Sequence, residues 1–414
     1  MDTKVKRIQR DIEELSKYTS TPGAGTTRLS FSTEDRGARE YIKSEMVNAG
    51  LKVYEDAAAT VIGRIDGEDN NLPIVMIGSH FDSVKNGGNF DGQAGVVAAL
   101  EIARVFHDKK LKPKCPVEFI AMIGEEGSRF GGGIFASRAM AGKVNKNELY
   151  SFKDENGITI AEAMKQFGFD ADKIEEAIRP KDSIKAFIEL HIEQGPILES
   201  LKKEIGVVDY IVGLYAIEVK IEGRADHAGT TPMDMRVDAL ETAAIIISRV
   251  GDFTRELGEG TVATVGKLSV LPGSTNVVPN EVIFTVDIRS KYDSYIRKVR
   301  CWINEELEKL SQSKGIKFSV LDNLDLPPVK LTDHIVDIIE KNSEKLGLSN
   351  MKILSGAGHD AMVMADITDI GMIFVSSKNG RSHSPQEWTD YDQLQKGVEV
   401  AYETIKELSE VNLL

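Results

Sequence analysis

The stretch LPIVMIGSHFDSVKNGGNFDGQAGVVAALEIARVF, residues 72–106, decides the fold. It opens on an apolar run, LPIVMI. A polar, glycine-bearing segment follows, GSHFDSVKNGGNFDG, and then a small-residue run that reads as a helix over 93–107. A short apolar run rich in Val and Ile, bounded by turn residues, reads as a buried strand. Strand, polar turn and helix in that order make the first half of a βαβ unit. The turn carries His80, Asp82 and Asp91. A solvated surface loop is one explanation for them. A metal site at the mouth of a sheet is the other.

Three further stretches repeat the pattern: PVEFIAMIGEEGSRF, IKAFIELHIEQG and GMIFVSSKNGRSHSP. Each passes from an apolar run into a polar turn, and helical stretches lie between them. Strands alternating with helices predict an α/β domain with a mostly parallel sheet and helices on both faces. Ligands of such sheets bind just beyond the strand C-termini. All four runs place their polar residues there, which speaks against a scattered surface.

From about residue 207 the style changes. A strand-like segment through VVDYIVGLYAIEVKIEG leads to a helix expected over 234–250. Two strands around a Gly/Pro turn follow, then a helix over 293–314 and a last strand near KFSVLD. That is the β-α-β-β-α-β order of a ferredoxin-like α+β domain. The expected organisation is a discontinuous catalytic metal-binding domain, 1–206 and 326–414, with an inserted lid and dimerisation domain at 207–325.

The bulk numbers narrow the function classes. The chain has 414 residues, 41% hydrophobic, with net charge −14 from 51 basic and 65 acidic side chains. That suits a globular protein with a sizeable core and argues against a basic nucleic-acid-binding face. The two cysteines form no disulfide framework or cysteine zinc cluster. The opening MDTKVKRIQRDIEELSKY reads as a charged amphipathic helix, not a signal peptide. The longest apolar patch, ALETAAIIISRV, is too short to span a bilayer. A cytoplasmic protein is expected, with no membrane and no nucleic-acid partner.

Five of the seven histidines lie in polar or Gly-rich motifs, whereas His107 and His334 read as surface or capping residues. His80 offers a neutral imidazole ligand, and Asp82 could orient its ring. Asp91 could bridge two cations about 3.5–4 Å apart, or cap the helix that follows; taken alone, the cap is the better explanation. In GEEGSRF the adjacent side chains diverge. One of Glu125 and Glu126 could bind metal while the other serves as a base, or both could face solvent. ELHIEQG offers His191 beside Glu189, Glu193 and Gln194, and GRSHSP offers His383; each could equally be a loop histidine satisfied by backbone. Gly131 to Gly133 could cradle phosphate, but no P-loop pattern accompanies them.

Seven motifs occur in order: GSHFDSVKNGGNFDG, GEEGSRF, ELHIEQGPILE, GRADHAGTTPM, STNVVPNEVIFTVDIR, SGAGHDA and SHSPQEW. With them the sequence resembles the M20 metallopeptidase-like hydrolases, in their amidase/hydantoinase/carbamoylase branch, over nearly its whole length. The resemblance implies two divalent metal ions per subunit, zinc foremost, with manganese, cobalt or nickel as alternatives. It implies His80, Asp91 and His191 around one ion and Asp91, Glu126 and His383 around the other. Glu125 is then the general base and Asp82 the partner of His80. The implied substrate is a small ureido compound with a carboxylate, held by Asn276 and Arg289, with Gln194, Gly358 and His359 lining its pocket. The implied assembly is a homodimer in which His227 reaches the partner's active site. The implied reaction is hydrolysis of an N-carbamoyl-L-amino acid. Allantoate and N-carbamoyl-β-alanine are the alternatives, and a dipeptidase or a metal-free scaffold are weaker ones.

Overall fold

The computed structural model of the protein describes residues 1–411. The chain divides into two compact units. One comprises Met1–Asp209, Leu331–Ile353 and the chain from His359 onward; the other comprises Tyr210–Lys330 and Leu354–Gly358. No helix among the described residues is long and apolar enough to cross a membrane.

The first unit begins with β1 (Lys52–Glu55), β2 (Val61–Ile65), β3 (Ile74–His80), β4 (Val117–Met122) and β5 (Ile184–Ile192), and β6 (Ile205–Ile211) starts in it and ends in the second. The second unit contributes β7 (Gly213–Glu222), β8 (Val262–Thr264), β9 (Leu268–Leu271), β10 (Glu281–Ser290), β11 (Lys317–Leu326) and the two-residue β12 (Val329–Lys330). Next come β13 (Asn350–Ser355) and β14 (Asp369–Val375).

The large sheet runs β1-β2-β4-β3-β5-β14-β6, with β12 and β13 also pairing β6. Its centre is parallel: β3 pairs β4 and β5, and β5 pairs β14. These four neighbours are the four strands read from apolar runs. Every residue of β4 is buried, as is every residue of β3 after Ile74. Strands covered on both faces read as continuous apolar runs, which is why they were legible.

The expectation of a mostly parallel sheet needs correction, because the flanks are antiparallel. β1 pairs β2, β2 pairs β4, and β6 pairs both β14 and β12 in that sense. The cause at one edge is connection length. β1 and β2 are joined by a short turn, and only a hairpin can close over so few residues. The result is a mixed α/β fold around a central sheet.

The second unit's strands read differently. β7 and β10 alternate buried and part-exposed residues along their length. Such alternation marks a sheet with one covered face. Its order is β11-β7-β10-β8, with β9 also on β10, and these four pairs are antiparallel. Ile217, Val219, Ile221, Phe284 and Ile288 form its core with Ile246 and Val250 of helix Ala239–Leu257 and Val299 and Ile303 of helix Asp293–Lys314. Fully burying each such side chain stabilises by about 1.5–3 kcal/mol. Helix Ala239–Leu257 starts later than the expected residue 234. Asp238 caps it, accepting from the amides of Leu240 at 2.9 Å and Glu241 at 3.0 Å. Leu354–Gly358 joins this unit through backbone contacts, since Ser355 O accepts from Val212 N at 3.0 Å.

Candidate metal centre

The site lies at the C-terminal ends of the four parallel strands. His80 is the last residue of β3, and His191 is the penultimate residue of β5. Glu125 and Glu126 follow β4, and His383 follows β14 on a loop. Asp91 comes from the glycine-rich turn between β3 and helix Gln93–Asp108.

Asp91 is the hub. Its Oδ1 lies 3.2 Å from His191 Nε2 and 3.7 Å from His80 Nε2. Its Oδ2 lies 3.1 Å from His383 Nε2, which in turn is 3.7 Å from Glu126 Oε2. Two groups of donor atoms result, His80–Asp91–His191 and Asp91–Glu126–His383, each with its atoms within 4.8 Å of one another. Glu125 Oε2 lies 3.7 Å from His80 Nε2.

The helix-cap explanation of Asp91 is overturned. Gly92 takes the N-cap position with φ of 66°, and no side chain caps the helix. The Asp91 carboxylate turns to the histidines instead. A Cβ on residue 92 would stand 2.3 Å from His80 Cε1, so this position takes no side chain.

The outer nitrogens of the buried histidines are oriented by backbone. His191 Nδ1 is 2.9 Å from Ile192 O, and Gly92 N donates to its Nε2 at 3.1 Å. That pair of contacts sets the tautomer with a lone pair on Nε2. His80 Nδ1 is 3.2 Å from Asp82 O and 3.6 Å from Asp82 Oδ1. The Asp82 carboxylate accepts three amides: Gly124 at 2.9 Å, Glu125 at 3.2 Å and Glu126 at 3.2 Å. Asp82 therefore holds the turn that carries the glutamate pair as well as lying beside His80. The segment between them is pinned by buried Arg28, whose Nε donates to Phe81 O at 3.0 Å.

The electrostatics follow from crowding acids and imidazoles in a buried space. Burial pushes Glu125 well above the usual carboxylate range, reinforced by the Glu126 charge. Burial and the Asp91 charge push Glu126 up to about 7. Burial alone would raise Asp91, but its contacts with the His191 and His383 imidazoles hold it well below its ordinary value. Burial opposes charge on His80, yet Glu125 and Asp82 push it well above. The contact with Asp91 carries His383 to about 9. The imidazoles are drawn toward their protonated forms because the cluster attracts positive charge. A divalent cation can supply that charge in the protons' place. Glu126 Oε1 is buried and has no hydrogen-bond partner. This donor set, imidazole and carboxylate with an orphaned carboxylate oxygen, fits a first-row divalent cation.

The remaining expected residues fall as follows. Gln194 Nε2 donates to Asp91 Oδ2 at 2.8 Å and lies 3.3 Å from Ser382 Oγ. His359 is 2% exposed and packs edge-to-face on His191, with ring centroids 4.6 Å apart. Burial holds it well below the usual histidine range. His227, Asn276, Arg289 and Gly358 belong to the second unit. There His227 is exposed, its Nδ1 accepts from Gly229 N at 3.0 Å, and Ala228 N donates to Asn276 O at 2.9 Å. Arg289 Nε donates to Asp287 at 2.8 Å and Nη1 to Gly356 O at 2.8 Å. His107 and His334 are exposed.

Sequence reasoning assigned no role to the buried acids Glu189 and Glu387, and it placed Asp360 with His359 on the substrate side. Glu189 accepts from Ser79 Oγ at 2.7 Å and Ala361 N at 3.0 Å. Asp360 accepts from Ser137 Oγ at 2.6 Å, and burial pushes it up to about 7. Glu387 holds the loop that carries Asp91. Their contacts are long-range, so no local spacing points to them.

The chain is similar to known proteins over most of its length. Peptidase family M20/M25/M40 matches residues 76–407. An N-carbamoyl-L-amino-acid amidohydrolase of Paenarthrobacter aurescens is 47% identical, covering 97% of this chain and 98% of that protein. The allantoate amidohydrolase of Escherichia coli (strain K12) is 34% identical, covering 94% of this chain and 95% of that protein. The crystal structure of an amidase of the hydantoinase/carbamoylase family from Burkholderia multivorans aligns with a TM-score of 0.92 at 32% identity, covering 98% of each chain.

Proposed function

The chain belongs to peptidase family M20/M25/M40, and from that premise we propose that it is a metal-dependent amidohydrolase of N-carbamoyl-L-amino acids. It cleaves the ureido C–N bond to give the amino acid, ammonia and carbon dioxide. The observation that carries this reading is the convergence of two imidazole–carboxylate groups on one buried carboxylate, Asp91, beside the spare acid Glu125.

His80, Asp91 and His191 would hold one divalent ion, and Asp91, Glu126 and His383 would hold a second. Such ions supply Lewis acidity and a water acidic enough to ionise near neutral pH. Glu125 takes the proton of the attacking water and hands it to the leaving nitrogen. Its raised proton affinity suits both halves of that task. The second unit is the lid and dimerisation domain. His227, with Nδ1 occupied by backbone amides, presents Nε2–H to the developing oxyanion in the partner's site. Arg289 and Asn276 take the substrate carboxylate, which replaces Asp287 on the arginine fork. Gln194, Gly358 and His359 complete the pocket wall. The protein works in the cytoplasm.

The same chemistry serves allantoate, and the Escherichia coli relative favours keeping that substrate as the second reading. Ammonia release is the test, across N-carbamoyl-L-amino acids, N-carbamoyl-β-alanine, allantoate and dipeptides, with zinc, manganese, cobalt or nickel supplied. The highest kcat/KM is expected on an N-carbamoyl-L-amino acid. Preference for allantoate moves the assignment to the second reading. Inactivity on every ureido compound overturns it.

A further inference from the structure

Glu387 is 4% exposed and lies just past His383 in SHSPQEW. Its Oε1 accepts two backbone amides of the glycine-rich turn, Phe90 N at 2.9 Å and Asp91 N at 3.0 Å. Its Oε2 lies 2.8 Å from Ser382 Oγ, which is itself 3.1 Å from Asp91 Oδ2. The turn is shaped to admit this side chain. A Cβ on residue 88 would stand 2.1 Å from Glu387 Oε1, so only glycine leaves the seat open. Rings close the contact from outside, with Phe90 edge-on to Trp388 at 5.3 Å.

The carbonyls of the same residues are also committed. Phe90 O accepts from Ala94 N at 2.8 Å and Asp91 O from Gln93 N at 2.7 Å. Both main-chain groups of Asp91 are therefore fixed, one by the helix and one by Glu387. A carboxylate shared between two donor groups has little latitude. A small rotation of its backbone brings one oxygen toward its histidine and takes the other away.

We infer that Glu387 is a positioning residue: it fixes the backbone of Asp91 so that one carboxylate faces both donor groups at once. It also ties the loop bearing His383 to the turn bearing Asp91. The inference rests on the metal-centre reading, and its test separates the two.

The test measures zinc and manganese affinity by chelator competition for wild type, Glu387→Ala and Glu387→Gln, with kcat and KM of the loaded proteins. Glutamine keeps an oxygen for the two amides, and its NH2 can donate to Ser382 Oγ. Glu387→Ala is expected to weaken metal binding by about 10–100-fold, the usual cost of losing a group that orients a ligand. Its kcat falls while KM stays within about 3-fold. Glu387→Gln restores most of both. Equal metal affinity in wild type and Glu387→Ala overturns the inference alone. So does a glutamine variant as weak as alanine, because charge rather than amide acceptance would then be at work. Absence of metal binding by wild type overturns the metal centre itself. Should Glu387→Ala fail to fold, Gly88→Ala expels the carboxylate from its seat without deleting it. That variant is expected to lose metal affinity too, and retained affinity there overturns the inference.

Discussion

The two donor groups that share Asp91 are built in different ways. His80 and His191 sit at strand ends, with side chains 1% exposed and outer nitrogens held by backbone carbonyls. Glu126 and His383 come from loops. The His383 side chain is 53% exposed, and its backbone adopts φ of 52°, a left-handed conformation unfavourable for a residue with a Cβ. The first half of the centre is framed by the sheet. The second is assembled from turns and keeps an open face. Strand ends give precision, whereas loops give access for substrate and for metal exchange.

Five measurements break or sharpen that contrast. The largest effect is expected for Asp91→Asn, which weakens both halves. Metal content falls toward zero by elemental analysis, and kcat/KM falls by at least about 10³-fold, or about 4 kcal/mol. Full retention of metal in one half would show that the hub is not shared. Glu125→Gln is expected to keep its metal and lose about 10²–10⁴-fold in kcat. Activity like wild type removes the base assignment.

Third, the halves should load unequally. His383→Ala is expected to retain the strand-framed ion, whereas His80→Ala loses it; equal losses by titration would erase the distinction. Uptake by the loop half should also depend on pH, since metal binds the deprotonated forms. Protons compete on Glu126 below about 7 and on His383 below about 9, so affinity tightens as pH rises through that window. A flat profile by competition titration contradicts this. The smallest effect is expected for Asp82→Asn, at about 10-fold in metal affinity. Because the Asp82 carboxylate accepts the amides of Gly124, Glu125 and Glu126, the loss should fall on the Glu126 half. Loss confined to the His80 half would instead make ring orientation its main task.

The same contrast explains what was legible in the sequence. The four parallel strands stand out because covered strands read as unbroken apolar runs ending in polar turns. KVYE of the β1–β2 hairpin is short and part-exposed, and VIGRI is only five residues long with its last two part-exposed, so they leave no such mark. Donor residue types could be listed from local motifs, but the part played by Asp91 could not be settled from its neighbours. Local pattern favours a helix cap, because Asp before a helix commonly caps it. What settles the geometry is Gly92 at the N-cap and Glu387 on the amides, and the second of these is a contact across 296 residues. The fork of Arg289 shows the same limit. Its ion pair with Asp287 is local, yet its bond to Gly356 O comes from a distant stretch of chain.

The bond between Ser382 and Asp91 spans 291 residues. Closing a loop of that size costs about 5 kcal/mol in chain entropy, before any constant term. The expense falls on the tertiary fold, since neither turn can hold the other by itself. A ribosome making this protein therefore releases His80, Asp91 and Glu126 long before their last companion emerges. The growing chain carries half a chelator until β14 docks on β5. Assembly of the second donor group is thus tied to completion of the sheet, and a chain cut short before residue 382 lacks both Ser382 and His383.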